Sequence, residues 1–498
     1  MKKNFYIVAL LCLTNFALQA QNSTDAIRFS QTDISGTARF SAMSGAFGAL
    51  GGDLSAIGIN PAGSVIFNNN QAGMTLAVYA KDNKSNYFGT DSNENDVNFD
   101  LNQAGVVWIF KDTEKSDWKK FAIAMNYDNS KNLNNTIFSA GENTNSISNY
   151  FLSYANGMQQ GLLSNTNFGA LNYSEQQGFL GYQAYIINPA STSSSETNYF
   201  SNVPLGANYF QSQSFTSNGT NGKVSFNAAA QYKDFLSIGI NLNAHFIDYR
   251  QSTAFYEEND FQNTNSDYLV NRLAFYNDLY TYGNGFSVQV GAILKPTKEI
   301  RFGLTYQSPT WYNLNDELSQ AVVAVSRNDA GELPKDVVDP QLVIIFEPYK
   351  LRTPSKYTGS FAYIFGKNGL ISLDYSLKDY NNIILKPTND FVGENNYMST
   401  ALKTASELRI GAEYKIEKWS LRGGYNFEES PYKNSKAIGD LYGITGGLGY
   451  NFGDFKIDLA YAYSKRNYQN QFFTQGLTDY STVRAINNSF FATVLFEL

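Results

Sequence analysis

Cysteine is all but missing from this chain of 498 residues: the one example, Cys12, falls in an N-terminal stretch that reads as a cleaved signal. The mature protein therefore has no disulfide framework, thiolate chemistry or zinc-thiolate site to draw on. Charge is also scarce, at 16% of residues against about 25% in soluble proteins. Beyond the first twenty residues no apolar run approaches the roughly 18 to 20 residues that a spanning helix needs, which excludes a helical membrane protein. There is no Lys/Arg cluster of the phosphate-neutralising kind, net charge is −7 and the isoelectric point is near 5.0, so nucleic acid is not an expected partner.

What the chain does have is aromatics and glycine. Tyr (35), Phe (37) and Trp (4) make up 15% of residues and Gly contributes 39, yet mean hydropathy is only −0.33. A chain that is polar on average but rich in aromatics suits a closed β-barrel, whose strands show one face to lipid and the other to water. Met1, Lys2 and Lys3 make a basic start, residues 5–17 are apolar but too short to span, and Ala20 precedes a cleavage point before Gln21. Residues 1–20 are thus expected to be a signal peptide. A lipoprotein signal at Cys12 is disfavoured, because Leu11 stands where a small residue is required.

After about Gln71 the sequence breaks into segments of about 10 residues with the period-2 alternation of barrel strands. In one of them Leu408, Ile410, Ala412 and Tyr414 suit lipid, while Glu407, Arg409, Gly411 and Glu413 suit only a polar lumen. Such segments begin near Met74, Gly105, Phe121, Val224, Leu236, Phe286, Ile300, Tyr357, Leu370, Leu408, Trp419, Tyr442, Phe455 and Phe490, which predicts a transmembrane antiparallel all-β barrel of about 14 strands. Short links (111–117, 233–234, 296–299, 366–369, 417–418, 453–454) alternate with long ones, as periplasmic turns and extracellular loops should. The two largest loops are expected at about 132–222 and 312–354. Their apolar clusters suggest that they fold over the barrel mouth. The final strand, with Phe490, Ala492, Val494, Phe496 and Leu498 on one face, can close the barrel against the first and would present it to the barrel-assembly machinery.

A lumen of this size passes water unless something fills it. The expected filler is residues 21–66, ahead of a barrel over 67–498, with a short helix around 41–50 and a turn at Asn60, Pro61, Ala62 and Gly63. The run from Gly36 through Ala46-Phe47-Gly48-Ala49-Leu50-Gly51-Gly52-Asp53, followed by Asn60-Pro61-Ala62-Gly63, resembles the N-terminal hatch of the FadL/TodX-type outer-membrane transporters. The resemblance implies an outer-membrane protein taking up long-chain fatty acids or other hydrophobic molecules. It further implies capture among the outer loops, passage to an internal pocket near the hatch, and sideways exit through a gap in the wall. It also places Asn60, Pro61, Ala62 and Gly63 on the hatch motif. A monomer seated in outer-membrane lipid, with no cofactor or metal, is the expectation.

Phe29, Phe40 and Phe47 are candidates for an apolar ligand pocket, against the alternative that they only pack the plug to the wall. Arg301, Asp374, Glu407, Arg409, Glu413, Arg422, Lys456 and Asp458 fall on expected lumen faces, where opposite charges on neighbouring strands more often cross-link a barrel than line an ion path. His245 is the only His and points into the lumen; Ser237 on the same face is beyond its reach and no Gly-x-Ser-x-Gly elbow exists, so no enzyme is expected. Asp91, Glu94, Asp96 and Asp100 carry oxygens suited to calcium but lack a ligand-spacing motif and read as a solvated loop. The competing function is a barrel of the same type acting as an outer-membrane anchor or shuttle for secreted proteins, with the 132–222 loop as docking surface. A general porin ranks below both, since the plug would obstruct it.

Overall fold

The computed structural model describes residues 23–112 and 116–498; the expected signal peptide lies outside the described residues. In lipid every backbone N–H and C=O must be paired within the protein, and the alternating strands meet that demand by closing on themselves. Fourteen strands form the wall: β1 (Gln71–Tyr87), β2 (Thr90–Lys111), β3 (Trp118–Asn132), β4 (Tyr209–Tyr232), β5 (Leu236–Asn259), β6 (Leu269–Leu294), β7 (Ile300–Gln307), β8 (Lys356–Phe365), β9 (Gly369–Asp379), β10 (Thr404–Ile416), β11 (Trp419–Glu428), β12 (Ile438–Asn451), β13 (Phe455–Gln471) and β14 (Tyr480–Glu497). Each pairs antiparallel with the next, and β14 returns to β1 with Glu497 opposite Gln71 and Thr482 opposite Asn86. The alternation reads as predicted: Leu459 and Ile410 face outward, whereas Glu407, Arg409, Glu413 and Asp458 are buried inside.

Three expectations about the loops need correction. The link from β1 to β2 is not long; it is the two residues 88–89, with Gly89 at φ +87°. The acidic run Asp91 to Asp100 therefore lies on β2, with Glu94, Asp96 and Asp100 on one face and Asp91 on the other, strung along an extended strand and not gathered in a loop. The segments 132–222 and 312–354 are also less loop than expected. β4 starts at Tyr209, a further strand spans Asn135–Asn143, and Trp311–Asn328 continues the line of β7 along β6. Strands of up to 26 residues reach well past the bilayer, and the period-2 signal fades there because both faces meet protein or water.

What remains of the first large loop folds as a cap of short helices, α3 (Ser148–Ala155), α4 (Gln160–Asn165) and α5 (Tyr173–Gln183), on the barrel mouth. Asn172 and Glu175 form a capping box that starts α5. Phe151 and Leu180 from the cap share one buried cluster with Phe255, Phe275, Phe472 and Phe473 from the wall and the β13–β14 link. The apolar groups noted in the loop are thus consumed by packing at the mouth.

Leu459 is about half exposed on the outer face. Leu459→Arg is expected to destabilise the barrel by about 2–4 kcal/mol near the bilayer midplane, read from urea unfolding in lipid vesicles; an unchanged midpoint would show that this face does not meet hydrocarbon.

Candidate functional site

Residues 23–70 run through the lumen as α1 (Ser23–Ser30), α2 (Ala38–Ala42) and two 3-10 turns, Ser55–Gly58 and Pro61–Ile66. Almost every side chain from Ala38 to Val65 is buried. Two kinds of contact hold the segment in place, and empty space lies above it. The first is backbone approach to the wall at glycine. Asn60 Oδ1 accepts from Ala62 N–H at 3.1 Å, fixing the turn, and its Nδ2 donates to Gly48 O at 2.7 Å and to the β6 carbonyl of Ala292 at 3.0 Å. The Pro61 carbonyl accepts from Asn227 Nδ2 at 2.9 Å. A Cβ on Gly291 would stand 2.1 Å from Asn60 Oδ1, and one on Gly239 would stand 2.5 Å from the Pro61 carbonyl carbon, so only glycine lets the turn sit this close.

The second contact is electrostatic. Arg39 Nε lies 2.8 Å from Glu413 of β10, the same carboxylate takes Arg422 Nε of β11 at 2.7 Å, and Arg422 reaches Asp458 of β13 at 2.5 Å. The carboxylate of Asp374 on β9 accepts from the Phe47 and Gly48 N–H groups, each at 3.0 Å, and Arg301 donates to Leu50 O at 2.9 Å. Glu407 pairs with Arg409 beside it and with Lys356 at 2.7 Å. Seven of the eight charged residues expected on the lumen face therefore contact the N-terminal segment or one another. Lys456 departs from the set: it pairs with Glu497 at 2.7 Å at the periplasmic rim, about one-third exposed. Arg39 is the member that sequence reasoning missed. Its signal was there, as the one charge inside the apolar run of residues 36–52.

The third feature is empty space. Above the plug a chamber of about 710 Å³ is floored by α1 and walled by β12, β13 and neighbours, within the roughly 300–1,000 Å³ range of small-molecule sites. Ile27, Leu133, Ile137, Phe215 and Tyr249 give it apolar surface, while Arg28, Lys81 and Lys131 stand among them. A second, smaller cavity of about 120 Å³, with polar and apolar lining mixed, lies beside it and includes Phe29, Phe40 and His245. Of the three candidate pocket aromatics, Phe29 and Phe40 border this smaller cavity. Phe47 is absent from the lining of both; it packs on Phe40 at 5.5 Å and under the Arg39 guanidinium at 5.1 Å. His245 hydrogen-bonds Ser287 Oγ at 2.9 Å and lies 3.4 Å from the Tyr312 hydroxyl, a lumen network without Ser237.

The wall beside the chamber is unzipped. β2 and β3 pair only from Lys111 opposite Lys120 to Gln103 opposite Asp128. Past that point β2 pairs with β1 alone, after a bulge at Asn102, and Asn129 to Asn132 of β3 pair with β4 alone. The N-terminal segment spans the break: Asn102 Nδ2 donates to Gly36 O at 2.6 Å, Ser35 Oγ to Asn129 O at 2.5 Å, and Asp33 N–H to Ser130 O at 2.9 Å. Tyr79, which lines the chamber, donates to Asn102 Oδ1 at 2.6 Å.

The sequence profile of the outer membrane protein transport protein family (OMPP1/FadL/TodX) matches residues 195–487, more than half of the chain. The chain belongs to this family. It is an outer-membrane transport β-barrel of the FadL/TodX type. Among solved structures, a FadL homologue from Pseudomonas aeruginosa is similar at 14% identity and a TM-score of 0.54, covering 94% of this chain and 99% of that one. The P. putida toluene transporter TodX is similar at 13% identity and a TM-score of 0.51, with the same coverage. At these identities the likeness is one of fold. No curated protein matches the chain.

Two substitutions separate the ways the plug is held. Glu413→Gln leaves two buried guanidinium groups without their shared carboxylate and is expected to cost about 3–5 kcal/mol, against less than about 1 kcal/mol for Lys456→Gln at the rim, by urea unfolding in vesicles. Gly291→Val should expel the Asn60 turn and raise single-channel conductance in planar bilayers; wild-type conductance would show that the turn does not seal the lumen.

Proposed function

We propose that this protein carries hydrophobic small molecules, long-chain fatty acids among them, passively across the outer membrane. Its route would be capture in apolar pockets of the outer loops and lumen, rearrangement of the N-terminal hatch, and lateral exit into the bilayer. The observation that carries this reading is the juxtaposition of the chamber with the β2–β3 break, where residues 33–36 of the hatch and the side-chain bonds Asn129–Asp100 and Asn132–Asn98 stand in for the backbone ladder. The free energy of an apolar solute falls on leaving water for a pocket or for hydrocarbon, so no chemical energy source is needed. Outside the break, Val97 and Phe99 of β2 are each 67% exposed and offer an apolar rim. Apolar walls beside charged groups of both signs, Lys81 and Lys131 with Asp33 and Glu394, suit a solute with a polar end and a long apolar body. The docking alternative has Tyr185 and Phe200 about half exposed beside the cap, but Tyr150, Phe151, Tyr154 and Phe168 are buried in the packing at the barrel mouth.

The two edges of the break approach at Asp100 and Asn129, whose side chains hydrogen-bond. Because the mature chain is free of Cys, Asp100→Cys with Asn129→Cys introduces a single disulfide across the exit. Uptake of radiolabelled oleate by cells depending on this protein should fall to background when the pair is oxidised and return on reduction. Uptake indifferent to the cross-link would refute lateral exit at this site.

A further inference from the structure

The periplasmic end of the lumen holds a cavity that the transport route does not use and that shares Arg301 with the hatch contacts. It measures about 530 Å³ and is bordered by Lys111, Lys119, Lys120, Lys295 and Arg301, with only Asp112 and Asp234 as carboxylates. In a chain with 44 acidic and 37 basic residues, five cations to two carboxylates is a local inversion of charge. We propose that this vestibule is a binding site for a phosphate-bearing anion.

The fold itself forces like charges together here. Lys111 of β2 and Lys120 of β3 are direct cross-strand partners, an arrangement that destabilises a sheet unless something of opposite sign sits between or above the pair. The ion pairs formed by the described residues use none of the five cations. Two of them are held by neutral groups, and Asp234 offsets part of the repulsion at Lys120 and Lys295. Lys120 Nζ donates to Phe67 O at 3.2 Å, Arg301 Nη1 donates to Leu50 O at 2.9 Å, and Arg301 Nε is buried with no partner. Lys295, in the link between β6 and β7, is pushed down to about 8 by burial, with Arg301 and Lys120 adding to the effect. A bound anion would relieve each of these costs at once.

The chemistry selects the anion class. Several ammonium groups and one guanidinium offer more N–H donors and charge than the two oxygens and single charge of a carboxylate can use, whereas a phosphate presents three or more oxygens and up to two charges. The depth fits a lipid source as well as a free one. Trp118, Tyr232 and Phe235 pack edge to face in sequence on the same rim, at 5.2 and 6.0 Å, as aromatic belts sit at headgroup level.

Isothermal titration of the full-length protein in maltoside at low ionic strength tests the site, with inorganic phosphate in one arm and dihexanoyl phosphatidylglycerol in another. Saturable binding of at least one probe is expected. It should weaken by at least about tenfold in Lys111→Gln/Lys120→Gln, since one charge-assisted hydrogen bond is worth about that factor, and stay unchanged in Lys350→Gln, on the extracellular strand Tyr349–Arg352. Binding of both probes assigns the site to phosphate itself, of lipid alone to a headgroup, and of inorganic phosphate alone to the free anion. Failure of both probes, or octanoate binding as tightly as either, overturns the proposal. Thermal melting gives an independent reading: in phosphate-free buffer the double variant should melt above wild type and should lose the phosphate-dependent rise in Tm. A lower melting point together with no phosphate effect on wild type would mean that the lysines serve the fold, and the proposal falls.

Discussion

Inside hydrocarbon, an unpaired backbone group has no water to turn to, and this one constraint organises the whole molecule. It requires the fourteen strands to close, with β14 laid against β1 along nearly the full length of both. It also makes the β2–β3 interruption meaningful, because exposed edges in a membrane wall must find other partners. Here the partners come from the plug: carbonyls of Asn129 and Ser130 on one edge and the Asn102 side chain on the other are all met by residues 33–36. The hatch is thus part of the wall as well as a stopper.

The plug depends on low-dielectric electrostatics for its position. Arg39 brings a charge into the lumen that only Glu413 compensates directly, and Glu413 is in turn shared with Arg422, which leans on Asp458. A buried chain of this kind contributes little net stability relative to apolar packing, yet it penalises any displaced plug by leaving charges unpaired. Together with the close approach at Gly239 and Gly291, it defines one seated position. The outer cap works differently, through an aromatic cluster that joins Phe151 to Phe255, Phe275 and Phe473 at the barrel mouth.

Much of this was legible in the chain. A lipid-facing strand must alternate, so Leu408 to Tyr414 announced both the strand and the direction of Glu407, Arg409 and Glu413; the same rule placed all fourteen strands and their short periplasmic links. The rule lost its grip where strands leave the membrane. Beyond the bilayer no medium enforces alternation, and so the hairpin at residues 88–89, the extension of β4 back to Tyr209 and the strand Trp311–Asn328 went unread.

The site was less legible, for a related reason. Sequence spacing records which face a residue takes but not which distant strand or plug residue it will meet. That Asn60 sits on a turn followed from Asn-Pro-Ala-Gly alone; that its amide reaches Ala292, and that Gly291 makes room for it, required the barrel to be closed. Residues separated by hundreds of positions, such as Arg39 and Glu413, become neighbours only through closure. The sequence by itself determined the class of structure and the inward or outward direction of each strand residue, because a two-solvent environment writes a period of two into the chain. Only the tertiary structure decided the chamber, the break beside it and the cation cluster below, because each depends on where the ladder of strands stops and what the plug puts in its place.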